Sequence, residues 1–305
     1  MIAIDRILCP VDFSGFSRRA LDYAVGLARW YQARVTALHV YPMGIPSAAM
    51  APGSPVVIEP VVMSNADREL LQTQLRGFAE GERAPGVVVD IEVGEGTVWR
   101  EIVQRALSLP ADLLVLGTHG RSGFERLLLG SVTEKLLRAS PCPVLTVPAG
   151  APDVVPIAPG LFKRILCPTD FSPVADRAAL WAASLAQEAD AELLMLHVFE
   201  EPMATDLEAF PRSTLAAYRA EYEQWCATRL GESVPAAARV CCTVREMMAS
   251  GAAHREILRA AAEHGCDLIV MGVSRQRGLG DRVFGSTTQH VVRAAPCPVL
   301  TVRDV

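Results

Sequence analysis

The chain has 305 residues, of which half are hydrophobic and 21% are charged, and its net charge is −5. This composition supports a packed core and excludes a disordered chain, while the negative balance argues against nucleic acid as the main partner. No run of eighteen apolar residues occurs, and residues 1–6 lack the charged start and long apolar stretch of a signal peptide. We therefore expect a cytoplasmic protein with no membrane span.

Strands and helices are predicted to alternate along the first half. Apolar runs predict strands at 2–11, 34–41, 87–93, 113–117 and 144–147, and helical spacing predicts helices at 16–31, 64–81, 98–107 and 131–139. Strands that are apolar almost throughout are typical of a parallel sheet buried on both faces. The predicted fold class is α/β, Rossmann-like or flavodoxin-like, with a five-stranded parallel sheet covered by helices on both faces.

The second half repeats the first. Residues 163–172 repeat residues 5–14 almost letter for letter at an offset of 158, and residues 296–302 repeat residues 141–147 at an offset of 155. We predict two tandem domains at 1–148 and 161–305, joined by a linker at 149–160 that is rich in proline and glycine. The second domain has a predicted helix at 215–230 and a shorter, more acidic loop after its second strand.

Two predicted strand ends point to a ligand site. In open parallel sheets, ligands bind beyond the carboxyl ends of the strands, where the strand order reverses. Asp12 follows the first strand, and Gly117 ends the fourth. If these strands are neighbours, both residues face one crevice.

A glycine-rich segment follows the fourth strand with the spacing G-x2-G-x9-G-S, formed by Gly117, Gly120, Gly130 and Ser131. Glycine lets the backbone bend and approach an anion closely. Ser131 suits an N-cap or first-turn position, where free N–H groups and the helix dipole favour phosphate. Alternatively, the glycines only shape a turn and the serine only caps a helix. Three glycines, a serine and two nearby arginines at the ligand edge favour phosphate binding.

This motif, together with residues 11–14, His39–Val40 and the closing strand 141–147, resembles the universal stress protein family over essentially the whole chain. The motif is similar to that of the ATP-binding subgroup. The resemblance implies ATP, with or without Mg²⁺, as the ligand. It also implies that Asp12 and the backbone at Val40 contact adenosine, and that ribose and phosphates are held by Gly117, Gly120, Gly130, Ser131 and Val132. A carboxylate can accept ribose hydroxyls or a base amino group, whereas it would repel phosphates.

The candidate cofactor-binding residues follow from this pattern in both halves. In the first half they are Pro10, Val11, Asp12, Val40, Leu116, Gly117, His119, Gly120, Arg121, Gly130, Ser131, Val132 and Thr133. In the second half they are Pro168, Thr169, Asp170, Val198, Met271, Gly272, Arg275, Gly285, Ser286 and Thr287. We assign no catalytic residue and no metal ligand.

Several candidate residues have alternative interpretations. Asp12 could instead only interact with the dipole of the next helix. His39 and His197 lie inside strands and are predicted to be packed and hydrogen-bonded, whereas His119 in the glycine loop is placed to contact phosphate or solvent. Four cysteines at equivalent places in the repeats are predicted to be buried thiols rather than disulfides or metal ligands, namely Cys9, Cys142, Cys167 and Cys297.

The second loop departs from the motif at Arg275, which replaces the second glycine. An arginine there would cost about 1 kcal/mol or more if the backbone needs positive φ, and it could fill the pocket. Alternatively, its guanidinium could reach a phosphate. We therefore predict nucleotide binding for the first half and leave it open for the second.

Three functions fit these features. The first is an ATP-binding stress-response module whose bound state alters its association with partners. The second, a slow ATPase or phosphotransfer enzyme, is disfavoured because there is no GxxxxGK[ST] loop and no acidic pair placed for magnesium. The third is a purely structural pseudo-dimer with non-functional glycine loops, in which strands 144–147 and 299–302 pair within the chain and protect two sheet edges. A homodimer of the whole chain is also compatible with the sequence.

Overall fold

The computed structural model describes residues 2–42, 63–80, 86–120, 129–152, 161–200, 212–273 and 285–303, without the side chains of 212–218. The elements of the first half are β1 Arg6–Pro10, α1 Gly15–Tyr31, β2 Arg34–Pro42, α2 Asn65–Ala79, β3 Val89–Gly96, α3 Val98–Ser108, β4 Leu113–Gly117, α4 Ser131–Ala139 and β5 Val144–Val147. Those of the second half are β6 Arg164–Thr169, α5 Pro173–Ala189, β7 Glu192–Phe199, α6 Arg212–Ser233, α7 Ala236–Cys241, β8 Val244–Ser250, α8 Ala253–Glu263, β9 Leu268–Val273, α9 Ser286–Ala294 and β10 Val299–Arg303.

The strands form one ten-stranded sheet in the order β3-β2-β1-β4-β5-β10-β9-β6-β7-β8. Strands pair in parallel within each half, and β1 lies between β2 and β4. The predicted fold class and the predicted adjacency of the first and fourth strands are therefore confirmed. The strand order reverses between β1 and β4, which places a ligand crevice at that point.

The halves join through an antiparallel pair, β5 with β10, in which Leu145 lies opposite Leu300. This confirms the predicted pairing of the two closing strands within the chain. Each strand would otherwise present an unpaired row of backbone N–H and C=O groups, so the junction removes two exposed edges at once.

Buried side chains lie on both faces of the sheet, as expected for strands that are apolar almost throughout. Alternation along β1 sends Ile7 and Cys9 to the face covered by α1 and α5, and Leu8 to the opposite face. On that opposite face Ile102 of α3 and Leu136 of α4 are fully buried. This packing fixes the positions of the helices that begin at the carboxyl edge of the sheet.

Most predicted bounds agree with the structure to within a few residues, and those of β4, α4 and β5 agree completely. The first strand is an exception, because it begins at Arg6 and not at residue 2. The N–H of Ile2 donates to Ser184 Oγ at 2.9 Å instead of joining the sheet. The N–H groups of Asp5 and Arg6 both donate to Asp112 Oδ2, each at 2.9 Å. The acidic segment after β7 lies mostly outside the described residues.

All eight cysteines are free, and all except Cys241 are buried. The predicted burial of the four repeat-related thiols is confirmed. Burial raises the pKa of Cys142 to about 11 and that of Cys167 to about 12. Among the described residues, no helix combines the length and apolar character needed to cross a membrane.

Candidate functional site

A cavity of about 390 Å³ lies at the carboxyl edge of the first half, between the ends of β1, β2 and β4 and the starts of α3 and α4. It brings together the predicted residues Pro10, Val11, Asp12, Val40, Leu116, Gly117, His119, Gly120, Gly130, Ser131, Val132 and Thr133. The other lining residues were not predicted as ligand contacts, and they are Ser17, Leu38, His39, Pro42, Val98, Ile102 and Leu136. Arg121 lies outside the described residues.

The Asp12 side chain lines the cavity and also accepts hydrogen bonds from Ser14, the N-cap of α1. Its Oδ1 accepts hydrogen bonds from the Ser14 N–H at 3.0 Å and the Ser14 hydroxyl at 2.6 Å. Ser14 is the N-cap of α1 and accepts from the Ser17 N–H at 3.2 Å. Asp12 therefore orients the cap of the next helix and also borders the cavity, so the two interpretations of this residue are compatible.

Phe13, directly after Asp12, has a left-handed backbone with φ of 64°. Such a conformation is uncommon for a bulky residue and often marks a functional site. The Phe13 ring packs at 4.6 Å from the His39 ring, whose Nδ1–H donates to the Val11 carbonyl at 2.7 Å. His39 is buried and hydrogen-bonded, as predicted. The aromatic pair holds the chain on both sides of Asp12.

None of Gly117, Gly120 and Gly130 has a positive φ, and a Cβ on each would make a tight contact of 3.0–3.2 Å. A Cβ on Gly117 would lie 3.0 Å from the Phe16 Cβ and 3.1 Å from its carbonyl oxygen. A Cβ on Gly120 would lie 3.0 Å from Asp12 Oδ2. Gly117 thus lets α1 approach β4, and Gly120 lets the loop approach the carboxylate.

Helix α4 begins at the cavity without a side-chain cap. Gly130 is its N-cap, and Ser131 is its exposed first residue. The first intrahelical bond runs from the Glu134 N–H to the Gly130 carbonyl at 2.9 Å. Within the described residues, the N–H groups of Ser131, Val132 and Thr133 have no acceptor. Such N–H groups, with the helix dipole behind them, favour an anion.

Thr133 and His119 fix the walls near the start of this helix. The Thr133 hydroxyl donates to the Gly117 carbonyl at 3.0 Å, which ties α4 to the end of β4. His119 Nδ1 lies 2.9 Å from the Thr118 hydroxyl oxygen, and the His119 ring lies 5.5 Å from the ring of Phe16. His119 Nε2 is buried and has no hydrogen-bond partner. If the Thr118 hydroxyl donates to Nδ1, Nε2–H is a donor available to a ligand.

The second half repeats much of this framework. Parallel pairing of β6 with β9 places their carboxyl ends at one edge. Pro168, Thr169, Asp170, Val198, Met271 and Gly272 lie in or directly after its strands, and Gly285, Ser286 and Thr287 are at the start of α9. Asp170 Oδ1 accepts from the Ser172 N–H at 3.0 Å, as Asp12 does from Ser14. Arg275 lies outside the described residues.

The aromatic pair is also repeated. Phe171 has φ of 60°, and its ring stacks at 4.5 Å on His197. His197 Nδ1–H donates to the Thr169 carbonyl at 2.9 Å, as predicted for a packed histidine. The packing around Gly272 is tighter than around Gly117, since a Cβ would lie only 2.7 Å from the Val174 carbonyl oxygen.

The sequence model of the universal stress protein family matches this chain twice, at residues 3–148 and 161–303. The chain belongs to the universal stress protein family. A universal stress protein of Methanocaldococcus jannaschii is 34% identical over 142 residues, which cover 47% of this chain and 81% of that protein. One from Bacillus subtilis is 32% identical over 146 residues, which cover 47% of this chain and 98% of that protein. The crystal structure of a universal stress protein from Archaeoglobus fulgidus covers 98% of each chain with a TM-score of 0.65 and 24% identity, which shows that the fold is shared.

Proposed function

We propose that this universal stress protein binds ATP, with or without Mg²⁺, in the cavity of its first half, and that it acts as a cytoplasmic regulatory module of the stress response. The bound nucleotide would alter its association with partners. The observation that carries the proposal is the cavity itself, whose wall contains every described residue of the first-half nucleotide motif. Its volume of about 390 Å³ lies in the usual range of ligand pockets.

The chemistry of the wall matches the parts of ATP. Apolar side chains, among them Val40, Ile102 and Leu116, suit a base, and the Asp12 carboxylate suits ribose hydroxyls. The first turn of α4 offers N–H groups and a favourable dipole to phosphates. Asp12 is the only carboxylate among the described lining residues, so Mg²⁺ would be held chiefly by phosphate oxygens and water.

For the second half we propose weaker binding on the same framework. The carboxylate of Asp170 and the first turn of α9 occupy equivalent places. The substitution of Arg275 for the second motif glycine places a long side chain where the first half has none.

The first experiment is mass spectrometry of freshly purified, denatured protein, followed by calorimetric titration with ATP. We expect the denatured protein to release adenine nucleotide, or the purified protein to bind ATP in the titration. At low ATP concentration, fewer than two equivalents of ATP should bind per chain. No nucleotide in either measurement would overturn the proposal. Phosphate release at about 1 per second or faster, a rate typical of kinases, would instead indicate an enzyme.

Variants locate the site. Gly120→Glu would direct a carboxylate toward Asp12 and the phosphates, and Ser131→Ala would remove a hydroxyl at the start of α4. Both are expected to weaken ATP binding at the first site, the former much more strongly. Gly77→Glu on exposed α2 is the matched control, because a Cβ there meets nothing within 4 Å. Unchanged affinity in both site variants would show that the motif is misassigned.

A further inference from the structure

In the second half, the rings of His254 and His290 pack against each other. Neither histidine is among the residues assigned to nucleotide binding. His254 lies in the first turn of α8, and His290 lies one turn into α9. Their ring centroids are 4.6 Å apart with an interplanar angle of 30°, and both residues are partly buried. The equivalent positions of the first half hold Trp99 and Lys135, so the pair is specific to the second half.

The hydrogen bonding of His290 fixes its tautomer. Its Nδ1 lies 2.7 Å from the Ser286 carbonyl oxygen, which can only accept. Nδ1 therefore carries the proton, and in the neutral ring Nε2 has a free lone pair. Histidines that bind metals commonly donate their other ring N–H to a backbone carbonyl in this way. Within the described part of the chain, the His254 ring has no hydrogen bond that would prevent it from turning toward His290.

We propose that His254 and His290 form a binding site for a divalent transition-metal cation such as Ni²⁺, Zn²⁺ or Cu²⁺. Imidazole nitrogen is a preferred ligand of these ions. The two side chains come from packed helices, so the backbone positions are fixed before the ion binds and only the His254 ring has to turn. The described residues contain no set of three or more metal-ligating side chains. Water therefore completes the coordination, and the bound ion exchanges readily and clamps α8 to α9.

The test is calorimetric titration of the full, tag-free chain with Ni²⁺. We expect one equivalent to bind to the wild type, and a loss of affinity of about tenfold or more in both His254→Ala and His290→Ala. His264→Ala is the matched control and should bind Ni²⁺ like the wild type. His264 is the C-cap of the same helix, about 15 Å from His254 along the axis. Metal-free thermal unfolding of each variant would check that its fold is retained.

The number of imidazole ligands gives a second readout. In a Cys241→Ser background, which removes the exposed thiol, the electron paramagnetic resonance spectrum of bound Cu²⁺ should show coupling to two nitrogen ligands. Each single histidine variant should reduce this coupling to one nitrogen. Absence of Ni²⁺ binding, equal affinity in all variants, or an effect of only one of the two histidines would overturn the two-helix site.

Discussion

Thr146 and Thr301 make reciprocal hydrogen bonds across the junction of the two halves. Each is buried, and each donates its hydroxyl hydrogen to a backbone carbonyl of the facing strand at 3.1 Å, Thr146 to Val299 and Thr301 to Val144. The reciprocity reflects the two-fold relationship between the repeats. Side chains thus reinforce the short β5–β10 ladder at equivalent points.

Replacing either threonine with valine should weaken this junction at nearly constant side-chain volume. Thr146→Val and Thr301→Val should each lower the free energy of unfolding by about 1 kcal/mol, because each removes one buried hydrogen bond. Urea denaturation would measure the change. Thr73→Val is the control, since the exposed Thr73 hydroxyl donates to a carbonyl within α2 and its loss should cost less than about 0.5 kcal/mol. Equal losses at Thr73 and Thr146 would contradict the prediction.

Gly117 at the end of β4 and Gly272 in β9 should not tolerate a side chain. Gly272→Ala should destabilise the protein by about 1–3 kcal/mol, because its Cβ would overlap backbone atoms of Val174. Gly117→Ala should cost less, because the nearest atoms are 3.0 Å away or more. Gly77→Ala, in an open helical position, should stabilise by about 0.5–1 kcal/mol. If Gly117→Ala lowered the free energy of unfolding more than Gly272→Ala, or if Gly77→Ala lowered it most, this packing explanation would be wrong.

Asp12→Asn should weaken ATP binding at the first site by about tenfold or more, because hydrogen bonds to a charged group contribute about 1.5–3 kcal/mol. The amide can still accept from Ser14, so the cap of α1 should persist. Titrations with ATP and 2′-deoxy-ATP would isolate the ribose contact. The wild type should prefer ATP, and the variant should bind the two nucleotides almost equally. If Asp12→Asn still prefers ATP to 2′-deoxy-ATP as strongly as the wild type does, Asp12 does not contact the ribose.

Only Cys241 should react quickly with a thiol reagent in the native protein. The other seven cysteines are buried, and burial raises the pKa of Cys142 and of Cys266 to about 11. The reactive thiolate is therefore scarce at pH 8 as well as shielded. A titration with Ellman's reagent should show one fast equivalent, and eight in denaturant. Cys241→Ser should abolish the fast phase, and two or more fast thiols would contradict the prediction.

The periodicity of the sequence predicted the fold and the edge on which the candidate site lies. Bounds agreed best where glycine or proline interrupts the pattern, as at Gly130 before α4. They were wrong at β1, where the apolar residues from Ile2 suggested a longer strand. Ile2 instead contacts Ser184, which is 182 residues away in the chain. Local pattern contains no information about such a partner.

The site was predictable in its motif but not in its packing. The spacing identified Gly117, yet the neighbour that excludes a side chain is Phe16 on another element. The lining residues Val98 and Ile102 were missed because they look like ordinary core positions of α3 until the helix is placed against β2 and α4. The left-handed backbone of Phe13 had no sequence signal, since no glycine or asparagine stands there.

The antiparallel junction also fixes the directions in which the two halves face. Because β5 and β10 run in opposite directions within one sheet, the carboxyl ends of the strands in one half lie along the edge opposite to those of the other. The cavity of the first half and the equivalent carboxyl edge of the second half therefore lie at opposite ends of the sheet. A globular partner docked over the first-half cavity would therefore leave the equivalent edge of the second half accessible to solvent.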